Sequence, residues 1–139
     1  MALKSLFPEE MMSMKSNGGG MTLESIASKL VTMELQLQLV HWQTSSYAEH
    51  KATGGMYEYL QEFRDGVMEK LMGYTGRKPS NITVGNIGGV TASACAMEVC
   101  SFASSLKSFA EMNNYLDIGN MADELSGEGK KLTYLLTLS

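Results

Sequence analysis

Met56, Leu60, Phe63, Val67 and Leu71 follow one another at steps of four, three, four and four. That rhythm is one face of an α-helix, and it predicts a helix from about Tyr47 or Ala48 to Tyr74. A similar row, Ile26, Leu30, Met33, Leu37 and Val40, lies upstream. It predicts a helix that begins near Thr22, which can cap it, and ends at Thr44-Ser45-Ser46. Ser25 stands where a Glu would complete a capping box, so a partial cap is expected. Leu35, Leu39 and Trp42 form a second apolar set on this helix. A helix apolar on two sides needs cover on two sides, one from its own bundle and one from elsewhere, such as a neighbouring subunit.

Two further helices are expected at roughly Thr91–Met112 and Leu116–Leu136, separated by a turn at Asn113-Asn114. In the third, Met97, Cys100, Ala103 or Ser104, and Phe109 are expected to face inward. Gly119, Gly127 and Gly129 weaken the fourth on propensity. Gly73 and Gly76 are stop signals for the second helix. Residues 76–90 hold Pro79, Asn81, Gly85, Gly88 and Gly89 and read as a long connection. An antiparallel hairpin needs only a short loop, so a long one fits a crossover running the length of a bundle. The rival is a bundle with simple up-down connections. Residues 1–20, which end in Asn17-Gly18-Gly19-Gly20, read as a tail ahead of one domain over 21–139.

Composition narrows the function classes. A net charge of −4 argues against a protein that grips nucleic acid by neutralising phosphates. Lys4 and Lys15 are balanced by Glu9 and Glu10, so the tail is not a basic arm. No stretch is apolar enough to span a membrane. Charged residues make up only 19%, which hints that another subunit covers part of the surface. Cys95 and Cys100 match no CxxC pattern and point to different sides of a helix. They are expected to be small, buried and reduced, which suggests an intracellular, cytoplasmic protein.

The second helix carries another stripe, Glu58, Glu62, Asp65 and Glu69, in the same rhythm but offset by two residues from its core row. Two residues are about 200° of helix, so these acids lie opposite the core. They form either a solvated face or a carboxylate set that meets a partner subunit and binds a metal. The only two histidines, His41 and His50, bracket the junction just upstream. His41 shares a face with Glu34 and Gln38. Imidazole beside carboxylates suits iron.

His41-Trp42, then His50, then Asp65 and Glu69 resembles the signature of the Dps mini-ferritins, over residues 22–75. A His-Trp pair ends the first helix of that family and a second His opens the next. An Asp and a Glu four residues apart follow. The resemblance implies an all-α, ferritin-like four-helix bundle with a long crossover between the second and third helices. It implies an iron site shared across a two-fold dimer interface, with His41 and His50 from one subunit and Asp65 and Glu69 from its mate. Fe(II) would be oxidised there by oxygen or peroxide, and Fe(III) stored inside a hollow dodecamer. The segment His41–Ala52 also looks like small ferritin-like proteins of large bacteriophages. That second likeness implies a non-enzymatic assembly protein on the same fold, such as a viral structural component. Two features depart from the Dps pattern. The interval between the histidines is three residues shorter, so the junction differs, and the basic tail that some members use on DNA is missing. No Glu-x-x-His motif is present, which argues against a di-iron centre inside one bundle.

Overall fold

The computed structural model describes residues 20–138. The tail expected over 1–20 lies outside the described residues, apart from Gly20. Four helices make the fold: α1 (Leu23–Gln43), α2 (Tyr47–Thr75), α3 (Ala92–Asn113) and α4 (Leu116–Leu136). Local chemistry marks their ends. The Thr22 hydroxyl accepts from the Ser25 amide, and the Ser25 hydroxyl accepts from the Thr22 amide. The capping box is therefore complete and not partial, because a serine hydroxyl reaches back as a Glu would. Ser46 caps α2 and Thr91 caps α3 with one bond each, their hydroxyls accepting from the Glu49 and Ala94 amides. Gly76, at φ 69°, and Asn114, at φ 60°, close α2 and α3 in the left-handed conformation. Gly73 lies within α2 and does not stop it.

The predicted core rows of α1 and α2 are all buried. The inward face of α3 is not the predicted one. Met97 is 71% exposed, whereas Ala92, Cys95, Ala96, Val99, Phe102, Ala103, Leu106 and Ala110 are buried. Ala103 alone of the expected set lies in the core, with Cys100 and Phe109 half-buried at its edge. Alanines and Cys95 alternate with Val99, Phe102 and Leu106 on this face, and α4 comes close to it. A Cβ on Gly129 of α4 would lie 2.7 Å from Cys100 Sγ and 3.1 Å from Val99 Cγ1. Gly129 therefore permits the α3–α4 contact, and its low helix propensity is the cost of that approach.

The connection over residues 76–91 follows α1 from its first turn to its last. The Ser80 amide donates to Glu24 Oε2 at 2.9 Å, the Thr83 amide to Ser28 Oγ at 2.9 Å and the Gly85 amide to Thr32 Oγ1 at 2.9 Å. Gln36 Nε2 then donates to the Asn86 carbonyl at 2.8 Å. A groove lined by Val40, Gln43, Thr44, Val90 and Thr91 marks its arrival at the far end. The chain therefore runs up, down, down and up. α2 and α3 are parallel, and simple up-down connectivity is ruled out. The result is a four-helix bundle with the long crossover expected of a ferritin-like topology. Neighbouring pairs are α1–α2, α1–α3, α2–α4 and α3–α4. The crossover is also a cover for one ridge of α1 outside the core. Of the second apolar set, Leu35 and Leu39 are half-buried and Trp42 stays 68% exposed. Among the described residues, no helix is long and apolar enough to cross a membrane.

Candidate functional site

Three residues, Thr44 to Ser46, join α1 to α2. So tight a junction sets the last turn of α1 against the first of α2, and it brings the two histidines together. Their rings stack with centroids 3.8 Å apart and planes 17° from parallel. His41 Nδ1–H donates to the His50 carbonyl at 2.6 Å, and His50 Nδ1–H donates to the His41 carbonyl at 2.9 Å. A carbonyl only accepts, so each Nδ1 must carry a proton. In the neutral ring the free lone pair is then on Nε2. The His41 carbonyl belongs to the last turn of α1, where helical partners run out, so His50 also caps that helix.

The pair has an inner and an outer member. His41 lies against α2: a Cβ on Gly54 would stand 2.8 Å from its Cε1 and 3.0 Å from its Nδ1. The Tyr57 ring meets it edge-on at 5.4 Å. His50 covers the other face, and beyond His50 lies Tyr47, centroid 6.4 Å away and 74% exposed. Thr53, fully buried, donates its hydroxyl to the Glu49 carbonyl at 2.8 Å and holds the first turns of α2. Glu34, on His41's side of α1, is buried and ion-paired with Arg64 of α2. It is therefore committed within the bundle and is not free to join the histidines as a ligand.

Glu58, Glu62, Asp65 and Glu69 are all exposed on the outer face of α2. Fifteen residues separate His50 from Asp65, about 22 Å along the helix. One chain thus brings His41 and His50 together and leaves Asp65 and Glu69 far from both. Among the described residues, no group of three or more His, Cys, Asp and Glu side chains is gathered closely enough to hold a metal within one chain. The cysteines add no reactive group to the site. Both are free, and burial, with Glu98 nearby, pushes the Cys95 thiol up to about 11. Cys100 is only half-buried, so the expectation of two buried thiols holds for Cys95 alone.

Sequence reasoning missed three positions here. Gly54 makes room for the His41 ring, Tyr57 borders it and Thr53 ties the turn beneath it. The costly Gly54-Gly55 pair inside a helix was the available signal for the first.

Residues 41–136 match the model of a family described as a family of unknown function (DUF5856), and the chain belongs to that family. The match begins at His41 and takes in the histidine pair, the acid stripe and the crossover. No curated protein matches the chain. No solved structure matches it.

Proposed function

We propose that the protein is a Dps-like iron-binding protein that works as an assembly of bundles. In this reading Fe(II) is the substrate. It binds between subunits, histidine nitrogen from one chain and Asp65 and Glu69 from its mate, and is oxidised there before Fe(III) is stored in a shell. The observation that carries the reading is the division of the donor set. The histidines, with free Nε2 lone pairs, lie at the α1–α2 junction, and along α2 the exposed Asp65 stands about 22 Å from His50 with Glu69 a turn further on, so only a second copy can unite them. The chemistry of the set supports it, since imidazole and carboxylate together suit iron and leave positions open for an oxidant. The backbone carbonyls that hold each Nδ1–H supply the ring orientation that metal-binding histidines need. Reduced thiols fit a cytoplasmic setting for such a protein.

The test is anaerobic Fe(II) addition followed by oxygen or peroxide, with light scattering to give the particle mass. Wild type is expected to oxidise Fe(II) as a particle of about twelve subunits, the size the Dps resemblance implies. An Asp65→Ala, Glu69→Ala double variant is expected to assemble but oxidise slowly. A monomer, or equal rates in both proteins, would sink the proposal. A second reading, a non-enzymatic assembly protein such as a viral structural component, is favoured by the reciprocal histidine bonds. They fasten the α1–α2 junction whether or not a metal binds. Equal oxidation rates in a large particle would select it.

A further inference from the structure

We infer that the two histidines have different tasks: His50 is the metal ligand, and His41 is a positioning residue that holds it. The inference rests on the proposed inter-subunit site and departs from the Dps pattern, in which both histidines ligate. A metal ion lies in the plane of the imidazole that binds it, roughly 2 Å from the nitrogen. The rings of His41 and His50 are stacked, with centroids 3.8 Å apart and planes tilted by only 17°. An ion in one plane is therefore well out of the other and beyond bonding distance of its nitrogen. The pair presents one ligand to one ion.

The surroundings decide which ring it is. His41 is the inner ring, pressed between the α2 backbone at Gly54, the edge of Tyr57 and the face of His50. His50 is the outer ring, and the ring of the exposed Tyr47 stacks on it at 6.4 Å. The His41 carbonyl fixes the proton of His50 on Nδ1, and the His41 ring fixes the plane in which the Nε2 lone pair lies. The three-residue junction between the helices produces this arrangement, because it sets the two rings face to face.

The experiment uses the full chain with 15N-labelled histidine, in long-range 1H–15N spectra recorded without metal and then with Zn(II) as an air-stable probe. Both rings are expected as Nδ1–H tautomers before metal. Zn(II) is expected to move the Nε2 resonance of His50 and leave that of His41. His41→Phe keeps a flat ring on His50 and offers no lone pair, and it is expected to retain Zn(II) binding. His41→Ala removes the ring. It is expected to weaken binding about tenfold and to free the plane of the His50 ring, read as changed His50 ring-proton shifts in the metal-free protein, while the Nδ1–H tautomer held by the His41 backbone carbonyl persists. Movement of His41 Nε2 by Zn(II) overturns the inference, as does a loss in His41→Phe as large as in His50→Ala. If Zn(II) moves neither ring, the inference and the proposed site fall together. Zn(II) on His50 without iron oxidation leaves the inference standing and removes the iron reading alone.

Discussion

Glycine occupies two kinds of position in α4, and the difference can be measured. At Gly129 an added methyl meets Cys100 Sγ at 2.7 Å and Val99 Cγ1 at 3.1 Å, and the Cys100 backbone nitrogen is 3.5 Å away. The backbone nitrogen is at ordinary contact distance, so the atoms that must give way are the Cys100 sulfur and the methyl of Val99, a fully buried β-branched side chain with little freedom to turn. Gly129→Ala is therefore expected to lower stability by about 1–3 kcal/mol through overpacking. At the exposed Gly127 an added methyl meets nothing within 4 Å. Gly127→Ala is expected to raise stability by about 0.5–1 kcal/mol, because alanine loses less freedom on entering a helix. Urea unfolding of both variants checks the pair, and equal shifts would contradict the close α3–α4 approach. Gly54 is a third case. There the obstructing atoms belong to the His41 ring, a side chain that can swing away. Gly54→Ala is expected to disturb the histidine stack more than the fold, which ring-proton shifts would report.

The crossover is an element without secondary structure of its own, held by a row of polar side chains. Glu24, Ser28, Thr32 and Gln36 recur every four residues along α1, and each takes part in one rung of the ladder. Glu24 sets its pH response. Partial burial works to raise its pKa. The hydrogen bonds from the Ser80 amide, its own amide and the Ser80 hydroxyl, with the Arg77 charge, outweigh that and hold the carboxyl below its ordinary 4.5. A group with a lowered folded-state pKa contributes its full stability above the unfolded value and loses it as pH falls through the folded one. The first rung is therefore expected to be intact above about pH 5 and to open as pH falls below 4.5. Hydrogen exchange at Ser80 should rise there in wild type and lose that pH dependence in Glu24→Gln. Large apolar residues made α1 and α2 readable from sequence, and the expected boundaries of all four helices agree with the structure to within about two residues. The α3 face was misread because large apolar residues lie on more than one side of this helix: Met97 and Phe109 stand off the buried row of Val99, Phe102 and Leu106, which alanines and Cys95 fill out. The ladder went unnoticed for a related reason. Its period is helical, but its members are polar, and polar periodicity ordinarily marks a solvated face.

At the scale of the whole molecule, the up-down-down-up course puts the histidine junction at one end of the bundle and strings the acids down its outer side. The sequence offset already placed those acids opposite the core. The meeting of the two rings was not legible, because it depends on the backbone path through three junction residues and on the space left by Gly54. If the site is shared across a two-fold axis, the interface is isologous and each dimer holds two equivalent sites, each with donors from both chains. A His50→Ala subunit lacks the nitrogen and keeps its acids. An Asp65→Ala, Glu69→Ala subunit lacks the acids and keeps its nitrogen. Each variant alone has no intact site. A mixed dimer has one intact site, built from the acids of the first and the histidine of the second, and one site missing both. Random assembly of equal amounts makes half of the dimers mixed, so the mixture is expected to recover about a quarter of wild-type Fe(II) oxidation. Unfolding and refolding the two variants together, then comparing the rate with that of each refolded alone, makes the measurement. A site contained in one chain gives no recovery at all, so complementation distinguishes a function that lies between bundles from one that lies within them.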